Sequence, residues 1–154
     1  MNIQVVELSS TQMAEPGVIT IMPEGNEGIR AGAYSSTTLS VGKVLKRANL
    51  PFRYLNKPER LLEQRGAEWF GPTLLIASSI FEAYPDVIKQ ALEVIKLHVM
   101  QLNPAVENPK VKMKFIISKT EKKINAEISF EGGVDSFSKL LGTIEKVCAD
   151  KENE

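Results

Sequence analysis

The chain has 154 residues, a length that suits one domain with its own hydrophobic core. Apolar residues make up 43% and charged residues 25%, and 19 basic side chains balance 19 acidic ones, which excludes a wholly disordered chain and a strongly cationic nucleic-acid binder. The single cysteine excludes an internal disulfide, and one cysteine with one histidine excludes a zinc site built from these residues.

The chain carries no sign of membrane insertion. Residues 1–7 contain no basic segment followed by a long apolar run, as a secretory signal would. The longest stretch without charge, 69–81, is well short of the roughly 20 apolar residues that span a bilayer. We therefore expect a cytoplasmic protein that does not contact a membrane.

The N-terminal third predicts two strands, a loop and a helix. Strands are predicted at 3–8 and 18–22, where β-branched residues are concentrated and turn residues follow. The glycine-rich segment 24–32 predicts a loop. A helix is predicted over about 36–48, although Gly42 weakens it by about 1 kcal/mol relative to alanine.

The middle of the chain contains one clear element and several short ones. A strand is predicted at 52–55, and a short charged helix at 59–64 after Pro58. The apolar run 73–77 fits a buried strand or the first turns of a buried helix, and the strand is favoured. Apolar residues spaced by three and four predict an amphipathic helix over about 85–102.

The last third predicts a β-hairpin over about 110–130 and a helix over about 135–148. Apolar residues alternate with polar ones along both strands, and pairing Ile117 with Ile124 would place one apolar set on a single face. The same register would set Lys114 opposite Glu127 on the other face. The predicted fold is a single α+β domain over 1–154, a mixed or antiparallel sheet with two main helices on one face and a frayed tail at 150–154.

Recognisable catalytic chemistry is missing. His98 would have to serve any nucleophile, yet its position between apolar neighbours in the long helix favours a structural role. Cys148 lies at a helix C-terminus, where the dipole disfavours a thiolate. The sequence predicts no metal and no cofactor, and an enzyme is the less favoured class. A catalytic role for loop acids such as Glu24 and Glu27 is left open.

Basic residues are concentrated in the segment 43–65. They favour either a solvated surface or a site that holds phosphate, and the solvated surface is the simpler interpretation. As the alternative function we keep nucleic-acid or nucleotide binding through Lys43, Lys46, Arg47, Arg53 and Lys57.

Four aromatic residues near turns are candidates for partner binding: Phe52, Tyr54, Trp69 and Phe70. Packing against the core is the competing interpretation for the tryptophan. With catalytic motifs missing and an exposed sheet edge expected at the hairpin, the favoured function is a non-enzymatic interaction module. Such a module would be a small subunit that binds a protein partner or associates with itself.

Overall fold

The structure is a computed structural model that describes residues 1–8, 14–24, 32–63, 66–119 and 124–149, apart from the side chain of residue 124. The strands are β1 Asn2–Leu8, β2 Ile19–Met22, β3 Tyr34–Ser35, β4 Phe52–Tyr54, β5 Leu61–Leu62, β6 Trp69–Phe70, β7 Thr73–Ala77, β8 Lys110–Lys119 and β9 Ile124–Gly133. The helices are α1 Thr38–Arg47, α2 Ile80–Ala83, α3 Val87–Leu102 and α4 Phe137–Ala149, the last preceded by a 3-10 turn at Val134–Ser136.

Seven of the described strands form one mixed sheet. Six follow the order β1-β9-β8-β7-β2-β4, and the seventh, β6, pairs with the first residues of β8. The β1/β9, β9/β8 and β7/β2 pairs are antiparallel, whereas β8/β7, β8/β6 and β2/β4 are parallel. The short strands β3 and β5 form a separate parallel pair. The mixed sheet agrees with the α+β fold predicted from the sequence.

Both long crossovers place their helices on the same face of the sheet. Parallel neighbours cannot be joined by a tight turn, so α1 connects β2 to β4 and α3 connects β7 to β8. Because β2 and β7 are antiparallel, and the two crossovers step in opposite directions across the sheet, a single handedness puts both helices on one side.

The main core lies between the sheet and the layer of α1, α3 and α4. It contains the inward side chains of five strands together with those of all three helices, as in Ile21, Leu45, Ile95, Phe115 and Ile144, each essentially inaccessible to solvent. The two main helices therefore cover one face, as predicted, and α1 extends the layer. The opposite face, here called the outer face, carries a small apolar cluster of Ala14, Leu75 and Ala77 over β7.

The hairpin of β8 and β9 is present, but the predicted register is wrong by two residues. Ile117 pairs with Ala126, and Lys119 is the residue opposite Ile124, because the strands continue further toward the turn than expected. Lys114 consequently faces Ser129, and Glu127 faces Ile116. The predicted faces survive because a shift of two residues preserves the alternation of side chains.

The hairpin also does not supply the sheet edge that the sequence suggested. β8 lies between β7 and β9, and β9 lies between β8 and β1, so both hairpin strands are paired on both sides. The sheet edge on this side is formed instead by β1, the first strand of the chain.

Two predictions from the middle of the chain have opposite outcomes. The segment 73–77 is the buried strand β7, as favoured. The helix predicted at 59–64 is wrong over its described part, because Leu61 and Leu62 are extended and pair with β3. The amide of Tyr34 donates to the carbonyl of Arg60 (2.8 Å), so pairing between distant segments overrides the local helical preference. The predicted tail at 150–154 lies outside the described residues.

Gly42 in α1 is required by the aromatic packing beside it. A Cβ atom at this position would overlap the Tyr54 hydroxyl and lie 3.3 Å from Cε2 of Phe52. These two rings pack edge to face at 5.7 Å, and Tyr54 packs in the same way against Tyr34 at 6.3 Å. The ring of Tyr54 is thus held from two sides and has little room to move aside.

We predict that Gly42→Ala destabilises the fold, although alanine is the better helix former by about 1 kcal/mol. The expected loss in the free energy of unfolding is about 1–3 kcal/mol, typical of overpacking, and urea denaturation measures it. Gly142→Ala in α4 is the matched control, because a Cβ there meets nothing within 4 Å and should stabilise the helix. A stabilised Gly42→Ala variant would contradict the packing argument.

Candidate functional site

The open edge of the sheet, formed by β1, is a candidate surface for pairing with another strand. β1 pairs with β9 along seven residues, and no described strand pairs with its other side. Its side chains are mostly exposed, including Val5 (50%) and Val6 (51%), which point to opposite faces. Glu7 is its only charged residue, and it contains no proline or lysine. Such an edge has unpaired backbone groups and little protection against another strand.

The opposite edge of the sheet is protected. β4 has only three residues, follows Pro51 and carries Arg53 at its centre. The guanidinium Nε of Arg53 donates to the hydroxyl of Thr20 (3.1 Å) and lies 3.9 Å from a carboxylate oxygen of Glu15. A short strand with a charged residue is a usual device against edge pairing, so the two edges differ in their capacity to accept a partner.

The four predicted aromatic residues do not form one surface. Phe52 and Tyr54 are half-buried and pack against the main core from β4. Trp69 also packs against that core, with its ring edge-on to His98 at a centroid distance of 6.2 Å. Phe70 points to the outer face, and its carbonyl accepts hydrogen bonds from Ser35 and Thr37 as part of the backbone framework. Partner binding by these four side chains stays a prediction.

The predicted basic residues are likewise divided between the two faces of the sheet. Lys43, Lys46 and Arg47 are exposed on α1, in the helical layer. Arg53 lies on the outer face with Thr20, and Lys57 is exposed beyond β4. The structure brings the three residues of α1 together and separates them from Arg53 by the thickness of the sheet.

The histidine and the cysteine considered above as catalytic residues lie in packed surroundings. His98 is half-buried rather than in the core, and burial first, then nearby Arg47, lowers its pKa. Burial raises the pKa of the Cys148 thiol to about 12, which leaves it protonated and unreactive near neutral pH. Among the described residues, no hydrogen bond joins either side chain to a base or a nucleophile.

Glu24 is the described acid with the most unusual surroundings; Glu27 lies outside the described residues. The two carboxylate oxygens of Glu24 accept hydrogen bonds from the backbone amide (2.8 Å) and the hydroxyl (3.1 Å) of Thr73, the first residue of β7. Burial raises its pKa, while the bonds to Thr73 and the nearby Lys114 ammonium act in the opposite direction. Sequence reasoning noted this residue only as a loop acid, because its contact with Thr73 joins segments 49 positions apart.

In the described segments, no three His, Cys, Asp or Glu side chains are arranged to hold a metal ion. None of the helices in the same segments has the length and apolar character needed to cross a lipid bilayer.

Comparisons with known protein families, with characterised proteins and with solved structures gave no match for this chain.

Replacing Glu24 by glutamine should change how stability depends on pH. Because burial raises the Glu24 pKa above its ordinary 4.5, the folded chain holds this proton more tightly than the unfolded chain. The stabilisation from this group is complete at acid pH and is lost as pH rises through the folded-state pKa. We therefore expect the wild-type unfolding free energy minus that of Glu24→Gln to fall as pH rises above 4.5 and through the raised folded-state pKa of Glu24.

Urea denaturation at each pH measures this difference. Glu107→Gln, at an exposed position, is the control for removal of one charge. A difference that stays flat or increases with pH would show that the buried state of Glu24 is not as described.

Proposed function

We propose that this protein is a non-enzymatic interaction module that assembles with a second copy of itself through strand β1. The observation that carries the proposal is the open edge: seven residues that pair with a described strand on one side only, two half-exposed valines and a single charge. Addition of a strand to such an edge satisfies its backbone amides and carbonyls with regular hydrogen bonds.

The sequence of β1 suits pairing with its own copy. In an antiparallel arrangement with Val5 on the two-fold axis, each Val5 faces the other, and residue 4 faces residue 6 of the partner. Glu7 then faces Ile3, so the only charged side chains of the two strands are kept apart. A two-fold interface uses the same residues from both copies, which this strand can supply without a like-charge contact.

The position of β1 also leaves room for a partner. The helical layer packs on the inner strands, with α4 against β8 and β9, and does not bury Val5 although this side chain is on the helical face. Antiparallel pairing about an axis perpendicular to the sheet would place both helical layers on the same side of one continuous sheet. Each Val5 side chain would then be covered, on the side away from β9, by the Val5 of the other copy.

Nucleic-acid binding has less support as a function. Its five residues lie on different faces, and the three that are together on α1 form a small exposed patch like that of many solvated helices.

A reducing compartment such as the cytoplasm is the proposed location, because a lone, half-buried thiol suits a setting where disulfides are rare.

Self-association should weaken when Val5 is replaced by lysine. The two substituted side chains would face each other across the axis, so we expect the dimer dissociation constant to rise by at least about tenfold, or 1.4 kcal/mol. Sedimentation equilibrium of the purified protein measures the constant. Leu97→Lys, at a comparably exposed apolar position on α3 (58%), is the matched control and should leave it unchanged.

A charge-swap pair tests the register. Val5→Lys and Val5→Glu should each be monomeric alone, whereas an equimolar mixture should form a heterodimer, because opposite charges then meet on the axis. Wild-type protein that stays monomeric at the highest accessible concentration would refute the proposed function. A wild-type dimer that is insensitive to Val5→Lys would place the interface elsewhere.

A further inference from the structure

A cavity of about 440 Å³ lies on the outer face, over strands β1, β9 and β8 and beside β6. Its lining follows two rows of paired residues across the sheet. One row contains Asn2, Glu131 and Lys112, and the other contains Gln4, Ser129 and Lys114. Its volume is in the range of sites for small molecules.

The cavity exists because short residues are surrounded by long ones. Ser129 lies at the centre of its row, between the longer side chains of Gln4 and Lys114. Gly71 lines the end next to β6, where Phe70 projects to the outer face beside Lys112. Glu24 closes the same end from the segment after β2. The result is a polar depression with one aromatic wall.

The charges in this cavity balance. Lys112 and Lys114 are opposed by Glu24 and Glu131, and no ion pair within 4 Å is formed among these four described residues. A ligand with only negative charge would meet the two carboxylates, and one with only positive charge would meet the two ammonium groups. A small zwitterion can place each of its charges against the opposite one, because the cavity offers both kinds of group.

Glu24 is held ready for a cation. Both of its carboxylate oxygens accept hydrogen bonds from Thr73, which fixes the carboxylate at the wall of the cavity. Burial is the largest influence on its pKa and raises it, and nearby Glu127 acts in the same direction, whereas the hydrogen bonds to Thr73 and the Lys114 ammonium lower the pKa. A ligand ammonium group in contact with this carboxylate would supply the close counter-ion that the described structure does not provide.

We propose that this cavity binds a small zwitterion of the amino-acid type. Its ammonium group contacts Glu24, its carboxylate lies near Lys112 and the hydroxyl of Ser129, and its side chain packs on Phe70. A longer peptide is not needed to bring an ammonium group and a carboxylate together, since a free amino acid carries both charges within the size of the cavity. Asn2 and Gln4 of β1 line the cavity, but the proposed ligand contacts come from Glu24, Phe70, Lys112 and Ser129, so the inference does not depend on the self-pairing of β1.

Saturation-transfer NMR with a mixture of the proteinogenic amino acids at millimolar concentration tests the proposal on the full chain. We expect saturation transfer to one or a few of them. For each of these, the N-acetylated form and the carboxamide form are the matched probes, because each lacks one of the two charges. Both derivatives should bind at least about tenfold more weakly than the free amino acid.

Variants then locate the site. Lys112→Met removes one cation from an exposed position, and Ser129→Leu fills the floor of the cavity without touching the core; each should weaken binding by at least about tenfold. Glu24→Gln should do the same, with circular dichroism as the check that the fold persists. Lys89→Met, at an exposed position of α3, is the control that should bind normally.

Three results would overturn the proposal. They are saturation transfer to none of the amino acids, equal binding of the N-acetylated form, and unchanged binding by both Lys112→Met and Ser129→Leu. None of them bears on the dimer, whose dissociation constant is measured without ligand, so failure of this inference is distinguishable from failure of the proposed function.

Discussion

The pairing of β8 with β7 is the interaction on which the rest of the structure depends. It joins the first half of the chain, with β2, β4 and α1, to the hairpin and α4 of the second half. Because the pair is parallel, the connection must cross the sheet, and α3 makes this crossing along the face where α1 already lies. Apolar side chains such as Leu74 and Phe115, which are neighbours in this pair, are therefore buried beneath the helices.

Among the described residues, the helical layer covers one face of the sheet and leaves parts of the other face and one edge open. The layer is built on the central strands, so β1 at the margin gains only partial cover, and Ile3 is the one residue of β1 that packs against the main core. The part of the outer face around the cavity over β1, β9 and β8 is polar, whereas the part over β7 is apolar and covered by Ala14. The same asymmetry thus produces both the open edge and the polar cavity.

Sequence patterns predicted what depends on local periodicity and missed what depends on pairing between distant segments. Alternation along β8 and β9 identified their buried faces, yet it could not choose between registers two residues apart, since Phe115 is buried whether it faces Ala126 or Ile128. Nothing local indicates that β1 joins β9 at the other end of the chain. For the same reason the bond between Glu24 and Thr73, and with it the cavity, could not be predicted from the loop sequence alone.

The difference between the two sheet edges determines what kind of assembly the proposed pairing produces. A sheet that can pair at both of its edges generates an open fibre. A sheet that can pair at only one edge closes into a two-fold dimer. In the β1 pair, both open edges are consumed at the axis. The outer ends of the continuous sheet are then the two β4 strands, each short, preceded by Pro51 and marked by Arg53. These ends are poorly suited to further strand addition, so in the proposed dimer the addition of more copies would stop at two.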